Sequence, residues 1–166
     1  MKIIDIAQDN YRVLTANEGK DFLGRIVYTK WYSGNRAEIT INQDAVYQME
    51  PKGFWQSTLE IFKEGIVMLN IKSKFTGYEI SRPIDADRPY RFKMKGLFKN
   101  GYVLVNYKDE VVLEIVSNFS WKKMYPGFTI TCSDNFGNDD FEKLLIMLSV
   151  HFSRTLHNAA VTSAAG

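Results

Sequence analysis

The chain has 166 residues, 45% of them apolar, 14% aromatic and 24% charged, with a formal net charge of +2. That length suits a single domain with a real core, spanning 1–166, and the composition is that of a globular protein rather than a long disordered one. So small a charge excess excludes a domain built to neutralise a nucleic-acid backbone, and any anion site must be local.

At the N-terminus, MKIIDIAQDN places Asp5 and Asp9 where a secretion signal needs an uninterrupted apolar run. Runs rich in Val, Ile, Tyr, Phe and Thr then recur at the 8 to 12 residue spacing of an all-β sandwich or barrel, with no βαβ rhythm. They predict strands near Ile3–Ile6, Tyr11–Thr15, Asp21–Lys30, Ala37–Ile41, Ala45–Glu50, Trp55–Phe62 and Ile66–Lys72. Further strands are predicted near Thr76–Ser81, Tyr90–Leu97, Tyr102–Tyr107, Val111–Ser117 and Gly127–Cys132, about twelve in all within residues 1–132.

Tight turns join most of them. Lys63 to Gly65 and Lys108 to Glu110 fit short hairpins, and Asn100-Gly101 suits a two-residue type I′ turn because both tolerate positive φ. Pro83 and Pro89 bracket an exposed connection over Ile84 to Arg88, since proline cannot donate to a central ladder. Cys132, the single cysteine, excludes an internal disulfide and fits a reducing, cytoplasmic setting.

The one convincing helix runs from about 139 to 158. Asp139 is placed as N-cap with Glu142 three residues on as its capping-box partner. Leu144, Leu145, Ile146, Met147, Leu148 and Val150 point in nearly every direction at 100° per residue, so this helix has no face for water and must be surrounded. Its apolar run covers only roughly 10 Å against a hydrocarbon core of about 30 Å, and Lys143, His151 and Arg154 bracket it, so it predicts no transmembrane span. Residues 159–166, rich in Ala, Ser and Gly, are expected to fray. A long antiparallel sheet with one apolar face hides that face by closing on itself. The prediction is a mainly β fold: a closed antiparallel barrel of about twelve strands wrapped around a central hydrophobic C-terminal helix.

This order of many short strands followed by one hydrophobic helix resembles the tubby C-terminal-like superfamily, which includes tubby proteins, plant LURP-one-related proteins and phospholipid scramblases. Asp134-Asn135-Phe136-Gly137 is similar to the DNFG string that precedes the scramblase helix. The resemblance implies a twelve-stranded barrel threaded by the helix and, from the tubby proteins, a phosphoinositide partner. The scramblase string sits in an acidic, calcium-associated segment, whereas here Cys132 replaces an earlier Asp and only Asp139 and Asp140 follow. Calcium asks for six to eight oxygens, and this segment has too few.

Little else in the sequence carries chemistry. His151 and His157 lie about 240° apart around the helix, so they share no metal site and read as a satisfied buried histidine and one near the helix end. Cys132 reads as a small buried hydrophobe, and there is no nucleophile elbow, P-loop or dinucleotide fingerprint. An enzyme is disfavoured, and no cofactor or metal is expected. The most suggestive polar feature is Arg91-x-Lys93-x-Lys95, three cations on one strand face about 6.6 Å apart. Trp121-Lys122-Lys123 and Lys30-Trp31-Tyr32 add the aromatic-beside-cation pairing of membrane interfaces. The expected function is a non-enzymatic module that docks anionic phospholipid or another phosphorylated ligand through Arg91, Lys93, Lys95, Lys122 and Lys123, peripheral to the membrane. The alternatives are a scramblase-like calcium-responsive membrane protein, a scaffold using Trp31 or Trp55, and an enzyme with a pocket at the barrel mouth.

Overall fold

A computed structural model describes residues 1–30, 33–55, 57–96, 101–118 and 127–165. Twelve antiparallel strands form a closed barrel: β1 (Lys2–Asn10), β2 (Val13–Glu18), β3 (Asp21–Lys30), β4 (Ser33–Ile41), β5 (Ala45–Lys52), β6 (Thr58–Lys63), β7 (Ile66–Lys74), β8 (Gly77–Ser81), β9 (Tyr90–Met94), β10 (Gly101–Val105), β11 (Val111–Asn118) and β12 (Gly127–Cys132). Each strand pairs with its sequence neighbour, and β1 closes the ring by pairing with β12, Ile4 opposite Ile130. The C-terminal helix α1 (Asp140–Ala165) runs into this barrel.

Alternation builds the core. Opposed residues share a face in an antiparallel pair, so Leu14, Ile26, Ile39 and Tyr47 form one inward row across four strands. Ile4, Ile130 and Ile115 form another, and all seven side chains are buried. Register shifts in five of the strand pairs supply local bends that help the sheet curl shut.

Ten consecutive helix residues, Leu144 to Ser153, are buried, which is the all-round burial that the apolar run demands. The hydroxyls within this stretch are satisfied by the helix itself: Ser149 Oγ donates to Leu145 O at 2.8 Å and Ser153 Oγ to Ser149 O at 2.9 Å. The helix crosses β3 so closely that a Cβ at Gly24 would lie 3.0 Å from the Met147 sulfur and 3.0 Å from Thr40 O. A side chain there would make Met147 and the Thr40 carbonyl give way by a few tenths of an ångström.

Helix capping follows the expected residues with a shifted partner. Asp139 Oδ1 accepts from the Glu142 amide at 2.8 Å, but Glu142 reaches back to the amides of Gly137 and Asn138 at 2.9 and 3.0 Å rather than to Asp139. The helix also continues through Ala165, past the expected end at Asn158 into residues expected to fray. Ala159, Ala160, Ala164 and Ala165 belong to the best helix-forming residue type, and Thr162 and Ser163 bond back to Asn158 and Ala159.

The Lys63–Ile66 hairpin has the expected two-residue loop, with Glu64 at φ 52° and Gly65 at φ 77°. Asp109, at φ 64°, turns the chain between β10 and β11. The expected Asn100-Gly101 turn is not where it was placed. Gly101 is a strand residue opposite Val116, and the reversal begins at Gly96 with φ 101°; Lys99 and Asn100 lie outside the described residues. Strand β6 starts at Thr58 rather than Trp55, and Tyr11 falls in the β1–β2 turn, because solvent-facing aromatics mimic strand periodicity.

Strand directions alternate around the barrel, so its two ends differ. Asn42, in the β4–β5 turn, contacts Asp140 and Lys143 at the entry of α1. Arg154 Nη2 donates to Tyr11 O in the β1–β2 turn at 2.7 Å, marking the opposite, exit mouth. The β5–β6 and β7–β8 turns lie at that exit mouth as well.

Candidate functional site

Phe92 fixes the rotation of β9. It points inward, stacks on Tyr102 with ring centroids 5.4 Å apart and lies 5.5 Å from Phe152, so Arg91, Lys93 and Lys95 are turned outward. The three cations are not equivalent. Arg91 Nη2 pairs with Asp109 Oδ1 at 2.6 Å, and Lys95, just beyond the strand, pairs with Glu114. Lys93 is exposed between Gly77 on β8 and Val103 on β10 and has no ion pair among the described residues. Lys122 and Lys123 lie outside the described residues, as do Trp121, Trp31 and Tyr32 and the side chain of Lys30.

Two further lysines adjoin Lys93. Ile71 and Leu69 face the core, so Lys72 and Lys74 of β7 face outward, and both are exposed. Lys74 opposes Gly77, which opposes Lys93. At about 4.8 Å between strands, Lys74 and Lys93 sit roughly 10 Å apart across a position with no side chain. Their mutual repulsion through water is only about 0.4 kcal/mol, and Glu79, two residues along β8 from Gly77, lies diagonal to both. Among the described residues, Lys20, Lys72, Lys74 and Lys93 are the cations with no ion pair, hydrogen bond or ring partner. All but Lys20 share this face. Glu79 on β8, between Lys72 and Arg91, is the carboxylate within the patch, and it forms no ion pair.

Aromatic residues crown the same end. Phe75, in the β7–β8 turn directly after Lys74, is fully exposed. Phe54 and Trp55, at 90% and 86% exposure, meet edge to face in the β5–β6 turn. The outward pair Lys72 and Lys74 was readable from alternation in Ile71-Lys72-Ser73-Lys74. Its adjacency to Lys93 depends on the β7–β8–β9 register, which no local pattern shows.

The DNFG segment has a structural job. Gly137 adopts φ +83°, the left-handed region that favours glycine, and a Cβ there would lie 2.9 Å from Ile146 Cδ1. Asp134 pairs with the N-terminal ammonium, which holds its carboxyl below the usual carboxylate range. Asp139 caps the helix, and Asp140 Oδ1 accepts from Asn42 Nδ2 at 2.8 Å. Every carboxylate of the segment is thus engaged, and the described residues contain no group of three or more His, Cys, Asp or Glu able to hold a metal ion.

At the other end of the buried helical stretch, His151 Nδ1 lies 2.9 Å from Tyr28 Oη, and Arg154 covers the Tyr28 ring at 4.3 Å. Burial, reinforced by the Arg154 charge, pushes His151 down to about 3. Burial pushes the Tyr28 hydroxyl and the Cys132 thiol up. A neutral enclosed imidazole and a protonated enclosed thiol, 2% and 2% exposed, are poorly placed to meet a substrate.

No family model, curated protein or solved structure matches this chain. Among the described residues no helix is long and apolar enough to cross a membrane.

Proposed function

We propose that the protein is a non-enzymatic docking module that binds an anionic phospholipid surface through the exit-mouth face of β7, β8 and β9. The observation that carries this reading is the gathering of Lys72, Lys74 and Lys93, none of them in an ion pair among the described residues, beside the fully exposed Phe75, with Glu79 the carboxylate among them. Each lysine near an anionic leaflet contributes about 1 kcal/mol, and an aromatic ring at headgroup depth adds an anchor. Arg91 and Lys95 sit in exposed ion pairs worth about 0 to 1 kcal/mol each, so lipid phosphates can recruit them at little cost. Lys122 and Lys123 belong to the same proposal. The anionic leaflet in question is the cytoplasmic one, which makes the protein a peripheral, cytoplasmic-side component, and the helix-threaded barrel is in keeping with a tubby C-terminal-like module.

A scramblase-like calcium response draws no support from the acidic segment, whose carboxylates already cap, pair and bridge. Vesicle sedimentation tests the proposal. Binding is expected to phosphatidylcholine vesicles containing phosphatidylserine, to weaken as salt rises, and to fall about 100-fold in the triple variant Lys72→Gln, Lys74→Gln, Lys93→Gln, as three contributions of about 1 kcal/mol require. Equal binding to pure phosphatidylcholine, or salt-independent binding, refutes it. Inhibition by inorganic phosphate without any vesicle binding would assign the lysines to a soluble phosphorylated ligand instead.

A further inference from the structure

A cavity of about 320 Å³ opens inside the exit mouth, between the wall of the barrel and the emerging helix. Leu59 and Ile71 form its apolar floor, and Asn35, Ser57, Ser73, Tyr78 and Thr155 ring it, with Trp55 at the rim. Tyr78 is held by stacking on Phe152, ring centroids 4.1 Å apart and planes 15° from parallel. Ser57, just before β6, is tied to β7 there by the Ser73 amide donating to Ser57 O at 3.0 Å. The wall is therefore preformed.

The chemistry of this lining is distinctive. Among the described residues no lining side chain is acidic or basic, so they offer the cavity neither a counter-charge for an ion nor a carboxylate, imidazole or thiol for acid–base work. Thr155 Oγ1 donates to His151 O at 3.0 Å, but the side chains of Asn35, Ser57, Ser73 and Tyr78 have no hydrogen-bond partner within the described protein. Four neutral hydrogen-bonding residues with no partner in the described protein thus line one cavity together with the exposed indole of Trp55. The volume lies at the small end of the roughly 300 to 1,000 Å³ of ligand sites, enough for a single ring. A ligand that matches must be uncharged, rich in hydroxyls around its edge, and flat and apolar on one face for Trp55 to cover.

We propose that the exit-mouth cavity binds a neutral pyranose sugar, either free or as the headgroup of an uncharged glycolipid. The hydroxyls exchange hydrogen bonds with Asn35, Ser57, Ser73 and Tyr78, and the indole of Trp55 closes over the C–H face of the ring. This site is distinct from the lysine patch, because its described lining carries no charge and its binding is expected to be insensitive to salt.

The test follows the Trp55 indole N–H resonance by NMR, assigned by its loss in Trp55→Phe, during titration with the methyl glycosides of glucose, galactose and mannose. A saturable shift with at least one of them, with a dissociation constant on the order of 1 mM, is the expected result. Trp55→Ala is expected to weaken that binding about tenfold, the upper range for an aromatic stacking contribution, and Ser73→Val to weaken it as well. Both positions are exposed, so the variants keep the core, and circular dichroism verifies this. In a second arm, phosphatidylcholine vesicles carrying glucosyl ceramide replace the free sugar; retention there with no response to methyl glycosides assigns the site to a glycolipid headgroup. No response in either arm overturns the proposal. So does a response that survives in both variants.

Discussion

His151 shows how a single polar side chain can sit at the centre of an apolar barrel. Its ring is buried in the fold, has Tyr28 as its hydrogen-bond partner and lies close to the Arg154 charge, so the neutral form is the one that folds. The unfolded chain takes up a proton near pH 6.5, whereas the folded chain does so only near 3. This group therefore contributes stability that is complete above pH 6.5 and declines as pH falls, by about 1.4 kcal/mol per unit, until about pH 3. His151→Gln removes the titration, so denaturant-derived stabilities of the variant and the natural protein should converge between pH 7 and pH 4. Parallel curves would show that His151 does not control the acid response. At the same scale, Asp139→Ala should cost about 1 kcal/mol through loss of the helix cap, read as a lower denaturant midpoint with an unchanged slope.

At the scale of elements, the helix and β9 answer to different forces. The helix is held by burial on all sides, and Ile146 is completely enclosed. Ile146→Asp places an unpaired charge there and should prevent folding, whereas Lys93→Glu on the outer face of β9 should leave thermal stability nearly unchanged and impair vesicle binding. A soluble, cooperatively melting Ile146→Asp variant would show that the helix lies outside the core. The helix was legible in sequence because an apolar run with no polar side admits only an enclosed position. Its far end was less legible. Ala, Thr and Ser residues past Asn158 carry no periodic signal, and what favours helix there is the intrinsic propensity of the alanines, with the Thr162 and Ser163 hydroxyls satisfied by back-bonding.

For the whole molecule, closure is the decisive event. β1 joins the first residues of the sheet to the last, through Ile4 opposite Ile130 and its neighbours. Deleting residues 1–10 should expose the paired edges of β2 and β12 and open the core, which size-exclusion chromatography and dye binding would register as aggregation or a loosened state. A monomeric truncated protein that melts like the intact chain would show that the ring does not depend on this seam.

The sequence by itself determined the strand count, the enclosed helix, its capping residues and the closed architecture. Periodicity and turn chemistry are local properties, and one apolar face must be hidden somewhere. Tertiary structure alone decided which surface groups act together. Arg91, Lys93 and Lys95 look equivalent along one strand, but Asp109 and Glu114 arrive from other elements to occupy two of them, and Lys72 and Lys74 arrive from β7 to join the third. The mouth cavity is likewise assembled from residues as distant as Asn35 and Thr155. Core positions are dictated by each segment's own pattern. Surface constellations depend on register between strands, and register is set by the closed barrel as a whole.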